Sequence, residues 1–258
     1  MVDAPAPAIH VSSLRKSFGD LVAVDALDLR VEAGAFFGFL GPNGAGKSTT
    51  IKILTGISLP DAGTARVLGH DVVNDPVAAK RLMGVVSEDG PIFERLTGAE
   101  VLDFVGRMYR MDRATIADRS RELLELLELD SAGSKLVVDY SHGMQKKLAF
   151  AAALIHDPKV LFLDEPFEGI DAVSARLIKG ILGRLRAAGV TIFLTSHILE
   201  IVERLCEEIA VIDDGRIIAR GTLDDLREQA GPTASLEQLF LELVGRGEDD
   251  DRSLSWLG

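Results

Sequence analysis

The sequence lacks the features that mark secreted, membrane-spanning and nucleic-acid-binding proteins. Cys206 is the single cysteine, so no internal disulfide can form and we expect a reducing compartment. The 28 basic residues are outnumbered by 40 acidic ones, and a net charge of −12 argues against nucleic acid as a partner. No apolar run reaches the roughly 18 residues of a membrane-spanning helix, and the N-terminus has no secretory signal pattern. We therefore expect a soluble cytoplasmic protein.

The most informative feature that is present is a phosphate-binding loop at residues 41–49, GPNGAGKST. It fits the pattern G-x-x-x-x-G-K-[ST] at every defined position, with Lys47 placed to reach the β- and γ-phosphates and Ser48 to bind Mg²⁺. A short apolar strand before the loop and a helix after it provide the expected context. We predict a nucleoside triphosphate site whose loop residues are Gly41, Pro42, Asn43, Gly44, Ala45, Gly46, Lys47, Ser48 and Thr49.

A second chemical signal is a buried strand that ends in two acids, at residues 160–165, VLFLDE. Open α/β sheets bind ligands at the carboxyl ends of such strands. We interpret Asp164 as a direct or indirect holder of Mg²⁺, and Glu165 as the residue that orients or deprotonates an attacking water. The alternative is an acidic exit from a strand, and the phosphate loop favours the catalytic interpretation.

Other positions have two interpretations when each is taken alone. Phe18 fits either a ring that stacks on a nucleobase or a hydrophobic anchor of a turn. Glu88, at a strand end, fits either a contact to metal or water or a solvated acid. His197 closes a buried strand and fits either a phosphate contact or a structural histidine. Ser141 and Gly143 open a helix, which indicates either ordinary capping or an anion site.

The apolar periodicity predicts an α/β fold. Residues 9–40 contain three predicted strands, the second with the alternation of a half-buried sheet. A helix is predicted at 76–83 and a strand at 84–88. Apolar residues at helical spacing then occupy 98–129, so that a helical subdomain interrupts the α/β pattern. Cys206 lies in an apolar stretch and is interpreted as core filling rather than as a reactive thiol.

Taken in order, these signals resemble the nucleotide-binding subunit of an ATP-binding-cassette (ABC) transporter, over nearly the whole chain to about residue 230. The signature segment of that family matches residues 140–144, YSHGM. The resemblance implies that Phe18 stacks on adenine, that Asp171 lines a dimer seam and that His197 is the switch histidine. It also implies catalytic roles for Lys47, Glu165 and His197, and metal contacts from Ser48, Glu88 and Asp164.

The resemblance sets the expected fold and domains. It implies a P-loop NTPase core with an antiparallel β-subdomain and an inserted helical subdomain at about 89–157. We expect one nucleotide-binding domain over residues 1–245. The acidic stretch at 246–258 is predicted to be a disordered tail.

The resemblance further implies a mechanism that needs partners. Two subunits, expected to be identical, pack head to tail, and Ser141 and Gly143 of one close on the γ-phosphate held by the other. We expect ATP and Mg²⁺ as ligands and a separate membrane permease, docked through the helical subdomain, as the partner. The chain would then lie on the inner face of the cell membrane. Glu88 and the loop at 90–97 look like those of drug and natural-product exporters, which favours export over import.

Two departures from the family pattern affect these expectations. His142 replaces the first of two successive glycines in the signature, and Glu88 stands where glutamine is usual, so we expect slower turnover. A soluble ATP-driven switch is the main alternative, although the chain has neither a second cassette nor a long coiled-coil insertion. A phosphate-loop kinase or GTPase is a third interpretation. The signature segment, His197 and the absence of an N-K-x-D sequence argue against it.

Overall fold

The computed structural model describes residues 6–87, 93–230 and 236–245, and its framework is a pair of β-sheets. The smaller sheet is antiparallel and has the strand order β2-β1-β4-β5. Its strands are β1 (Ile9–Phe18), β2 (Leu21–Val31), β4 (Ala62–Val67) and β5 (His70–Asp71). Buried and exposed residues alternate along much of β2, as expected for a sheet with one face on the core.

The larger sheet has the strand order β10-β9-β3-β8-β7-β6. Strands β9, β3, β8, β7 and β6 are parallel, and β10 closes one edge as the antiparallel arm of a hairpin. The strands are β3 (Phe36–Leu40), β6 (Met83–Val86), β7 (Val160–Asp164), β8 (Thr191–Thr195), β9 (Glu208–Asp213) and β10 (Arg216–Thr222).

The central strands are buried on both faces, and successive residues supply two different cores. Every residue of β3, β7 and β8 is buried. Phe37, Phe162 and Phe193 face the core shared with the antiparallel sheet, and the Phe193 ring lies 5.6 Å from each of the other two. Leu161 and Leu163 face the opposite core, which is covered by helices. Continuous apolar strands of this kind are typical of parallel sheets.

Helices cover the sheets, and residue types at their starts explain where several begin. Thr97 and Glu100 form a capping box at the start of the helix that begins at Gly98. Asp112, Ser141 and Asp171 each accept backbone hydrogen bonds at a helix start. The helices of the described residues are α1 (Lys47–Leu54), α2 (Pro76–Arg81), α3 (Gly98–Met108), α4 (Arg113–Leu126), α5 (His142–Leu154), α6 (Ala172–Ala187), α7 (Leu199–Leu205), α8 (Leu223–Ala230) and α9 (Leu236–Leu243).

The predicted fold class is confirmed: the chain combines an antiparallel sheet, a mainly parallel sheet and helices in one α/β arrangement. The helix predicted at 76–83 ends two residues earlier, at Arg81, and the next strand begins one residue earlier than predicted, at Met83. Met83 pairs with Val160 in the sheet and is 2% exposed, so its burial favours the strand. Within the described residues no helix is long and apolar enough to span a bilayer. The acidic stretch at 246–258 lies outside them.

A glycine in β6 permits close packing of helix against sheet. A Cβ atom on Gly84 would overlap the carbonyl oxygen of Ala153 in α5 and lie 3.0 Å from Leu161 Cδ1. We expect Gly84→Ala to lower the free energy of unfolding by about 1–3 kcal/mol, because α5 must move off the sheet. Thermal and urea unfolding would measure the loss.

The matched control for this substitution is Gly183→Ala. Gly183 is an exposed residue inside α6, and a Cβ atom there would have no neighbour within 4 Å. That change is expected to stabilise the chain by about 0.5–1 kcal/mol, because alanine favours the helix. Equal effects of the two substitutions would contradict the packing argument.

Candidate functional site

The phosphate loop connects buried strand β3 to helix α1, and its backbone requires glycine at two points. Gly44 and Gly46 have φ values of 85° and 108°, in the left-handed region that favours glycine. A Cβ atom on Gly46 would overlap the carbonyl oxygen of Ala23. The ammonium of Lys47 donates to the carbonyl oxygens of Gly41 (2.7 Å) and Pro42 (3.1 Å). The loop is therefore curled around the lysine at the N-terminus of α1, where anions bind favourably.

A cavity of about 900 Å³ opens above this loop. Most of the predicted loop residues line it, but Ala45 does not: it is 3% exposed and packs into the core. The remaining lining comes from strands β1 and β2, the ends of β7 and β8, and two later helices. These other lining residues are Phe18, Leu21, Ala23, Glu165, Glu168, Ser196, His197, Leu199 and Phe240.

Phe18 is placed at the cavity by the end of β1. Its side chain is 54% exposed, and Lys16 Nζ lies 5.4 Å from the ring centroid. An exposed aromatic ring with one face held by a cation can offer the other face to a planar ligand. The position of Phe18 thus fits the predicted stacking ring better than the alternative of a turn anchor buried in the core.

The sheet register brings the predicted acids to the same edge as the loop. Thr195 of β8 pairs with Phe39 of β3 on one side and with Asp164 of β7 on the other. Its hydroxyl donates to Asp164 Oδ1 at 2.6 Å and accepts from the backbone N–H of Glu165 at 3.1 Å. Asp164 is 5% exposed, so this hydroxyl satisfies a buried carboxylate. Asp164 is absent from the described cavity lining, whereas Glu165 belongs to it.

Glu165 and His197 form a pair at the cavity wall. Glu165 Oε2 accepts from the backbone N–H of His197 at 3.2 Å and lies 3.0 Å from its Nδ1. The backbone of Glu165 has a φ of 47°, which is unusual for a residue with a side chain and typical of functional sites. The carboxylate is 9% exposed and the imidazole 51%. The pair can therefore offer a held carboxylate and an accessible ring to a ligand in the cavity.

The signature segment lies elsewhere on the same chain. Ser141 Oγ accepts from Met144 N at 3.3 Å as the N-cap of α5. A Cβ atom on Gly143 would lie 3.5 Å from Asp171 Oδ2. The Asp171 carboxylate caps α6, and hydrogen bonds from Ser174, first from its backbone N–H and then from its hydroxyl, lower the pKa of Asp171. Among the described residues that line the cavity, none belongs to this group.

The residues present fit Mg²⁺, although one chain supplies few ligands. Ser48 lines the cavity, and Asp164 lies at the end of β7, two strands from β3 in the sheet. Both side chains carry oxygen donors, the kind that Mg²⁺ prefers. Among the described residues no group of three or more histidine, cysteine, aspartate or glutamate side chains is placed to hold a metal ion. Mg²⁺ in such sites keeps waters and nucleotide phosphates as its other ligands, which agrees with this sparse set. Glu88 lies outside the described residues.

Sequence reasoning missed Thr195 and several residues of the cavity lining, among them Phe240. Thr195 carried a usable signal, because a hydroxyl residue closes a buried strand beside the acid strand. Phe240 carried none, since it lies in an ordinary amphipathic helix some 190 residues after the loop and reaches the cavity only through tertiary packing. The interpretation of Cys206 as core filling is confirmed: it is 6% exposed, and burial raises the pKa of its thiol.

The fold and the cavity together define a P-loop nucleotide-binding protein. The ABC transporter family matches residues 24–168 of the chain. The chain is 43% identical to the daunorubicin/doxorubicin resistance ATP-binding protein DrrA of Streptomyces peucetius, over 88% of this chain and 69% of that protein. It therefore belongs to the ABC transporter family, and it is an ATPase of the ABC type.

Two further comparisons agree with this assignment. Nod factor export ATP-binding protein I of Ralstonia nicotianae is 41% identical over 85% of this chain and 68% of its own length. Among solved structures, an ATP-binding subunit of an ABC transporter superposes with a TM-score of 0.86 at 31% identity, covering 92% of this chain and 99% of that one. The resemblance inferred from the sequence motifs is thus confirmed.

The Thr195 hydroxyl is expected to position both acids. In Thr195→Val the Asp164 carboxylate and the Glu165 N–H lose a buried partner without a change of side-chain shape, which should lower the free energy of unfolding by about 1–3 kcal/mol. Misplacement of the acids should lower kcat for ATP on the order of 10-fold to 100-fold. Steady-state ATPase assays would measure the change in kcat. Thr195→Ser keeps the hydroxyl and should remain near wild type; equal losses in both variants would contradict the role.

Proposed function

We propose that the chain is the ATP-hydrolysing subunit of an exporter and that it powers a separate membrane permease through ATP-driven head-to-tail dimerisation. The observation that carries the proposal is the separation of two half-sites. The phosphate loop and the Glu165–His197 pair share one cavity, whereas Ser141 and Gly143 do not line it, and Gly143 lies beside Asp171. A two-fold dimer brings the two half-sites together, because each chain then supplies the half-site that the other lacks.

In this proposal the residues around the cavity divide the chemistry of ATP hydrolysis. The loop N–H groups and Lys47 hold the phosphates, and Phe18 stacks on adenine. Ser48 and Asp164 would hold Mg²⁺, which when bound neutralises charge on the β- and γ-phosphates. Glu165 accepts a proton from the attacking water, and His197 keeps that carboxylate oriented and contacts the γ-phosphate.

The second chain completes the phosphate site in the proposed dimer. Ser141 and Gly143, at the N-terminus of the partner's α5, would face the γ-phosphate, where helix N–H groups favour an anion. Asp171 would line the seam beside them. Loss of the γ-phosphate removes the ligand that both halves share, so hydrolysis shifts the dimer towards separation.

An exposed apolar patch favours the 89–140 region as the permease-docking surface. Phe93 and Phe104 contact each other edge to face with centroids 4.7 Å apart, and they are 46% and 41% exposed. Met108, Leu136 and Val138 are also exposed in this segment. Large exposed apolar side chains grouped in this way mark interaction surfaces. A permease docked here would bring the chain to the inner face of the membrane.

Export is favoured by the names of the relatives. One is a drug-resistance ATP-binding protein and another is a Nod factor export ATP-binding protein. The first name concerns resistance to daunorubicin and doxorubicin, and the second concerns the export of Nod factor. We infer a natural product or drug-like compound as the class of transported substrate.

Glu165→Gln separates binding from hydrolysis. Removal of the base should lower the hydrolysis rate by roughly 10²–10⁴-fold while ATP still binds. The trapped nucleotide should hold two chains together, so light scattering with MgATP should report a dimer. Glu200→Gln is the matched control, since Glu200 is exposed at the start of α7 and does not line the cavity. Normal hydrolysis by Glu165→Gln would assign the base to another residue.

Affinity purification from native membranes tests the permease partner. The tagged Glu165→Gln chain, purified with MgATP after mild solubilisation, should recover a multi-spanning membrane protein in stoichiometric amount. Phe104→Glu should lower that recovery, because it places a charge in the exposed patch. The matched control is Ile218→Glu, at a side chain that is also 41% exposed but lies on the edge strand β10. Recovery of ribosomes or nucleic-acid enzymes alone would contradict the proposal.

A further inference from the structure

One wall of the ATP cavity comes from a part of the chain that none of the nucleotide motifs includes. Phe240 of α9 lines the cavity together with His197 and Leu199. Its ring is partly buried, whereas the next residue, Leu241, is 41% exposed and does not line the cavity. Helix α9 thus directs one aromatic side chain at the ATP site and its neighbour at solvent.

Helix α9 is held in place by apolar packing and by a polar contact at its start. Leu236 and Leu239 are 1% and 4% exposed and belong to the same core cluster as Val202 of α7. The Glu203 carboxylate, also on α7, accepts from the backbone N–H of Leu236 at 3.1 Å. The same oxygen accepts from Arg227 of α8 at 3.2 Å. Three helices therefore meet at Glu203.

Helix α7 begins next to the catalytic pair. Leu199, its first residue, lies two positions after His197, whose ring and backbone N–H contact Glu165. A short helix that carries both Leu199 and Glu203 connects the cavity wall to the α8–α9 pair. Displacement of α9 would therefore move Phe240 directly. It would also shift α7, and with it His197, through the packing contacts between the helices.

We propose that Phe240 is a positioning residue of the ATP site, which closes the apolar wall beside His197 and links ATP occupancy to the placement of α8 and α9. This inference rests on the nucleotide site proposed above. An aromatic ring there covers one side of the cavity into which the Glu165–His197 pair faces. Because linkage is reciprocal, ATP that fills the cavity also favours the α9 position in which Phe240 faces it.

Steady-state kinetics on the full chain test the positioning role. Phe240→Ala should lower kcat on the order of 10-fold, because the pair loses its wall, while KM for ATP changes less than about threefold. Phe240→Leu keeps an apolar side chain of similar reach and should restore most of kcat. Leu241→Ala removes a neighbouring side chain outside the cavity and should match wild type. Equal kcat values for Phe240→Ala and Leu241→Ala would overturn the inference.

A fluorescence readout tests the same contact without relying on turnover. The single tryptophan, Trp256, is replaced by Phe, and Phe240→Trp then provides one reporter. MgATP should change its emission, since the ring becomes covered; an unchanged spectrum would overturn the inference. Adding Lys47→Ala should abolish the response. If the response to MgATP survives Lys47→Ala, the proposed nucleotide site itself is wrong, so the two failures are distinguishable.

Discussion

The site depends on three strands that are buried on both faces and end at one edge. Strands β3, β8 and β7 lie side by side, and every residue in them is buried. Parallel strands with this order present their carboxyl ends together, so the phosphate loop, His197 and the two acids meet without further adjustment. Thr195, in the middle strand, connects the outer two through its hydroxyl and its backbone pairing.

The features of the site that can be predicted from the sequence are those whose residues lie close together along the chain. The phosphate loop is local, since the glycines, Lys47 and Ser48 act within nine residues, and their spacing alone indicates the ligand. The acid strand is local in the same sense, and the structure has it as β7 (Val160–Asp164). Met83 shows the limit, because its place in a strand rather than a helix is set by its pairing with distant Val160.

Contacts between remote segments were not available to sequence reasoning. The pairing of Glu165 with His197 joins residues 32 apart, and the sequence left His197 with two interpretations. Phe240 reaches the cavity only because Leu236, Leu239 and Glu203 fix α9 against its neighbours. The periodicity of α9 predicts an amphipathic helix but not which surface receives it.

The signature segment shows how a departure from a family pattern can be accommodated. A Cβ atom on Gly169 would lie 2.9 Å from the ring atoms of His142, and Gly169 has a φ of 68°. The bulky ring therefore lies over a glycine of the same chain, next to the Gly143–Asp171 contact. The signature segment and the loop that contains Asp171 are both expected to face a second chain, and they already pack against each other within one chain. This packing lowers the entropy cost of ordering them on dimerisation.

The claim that each ATP site needs two chains is tested most directly by complementation. Chains with Lys47→Ala and chains with Ser141→Arg should each be inactive, because one lacks the phosphate-binding lysine and the other the approach of the signature segment. In an equal mixture of the two, half of the dimers contain one intact site. The account predicts recovery of about a quarter of the wild-type ATPase rate. A mixture no more active than its separate components would contradict a shared site.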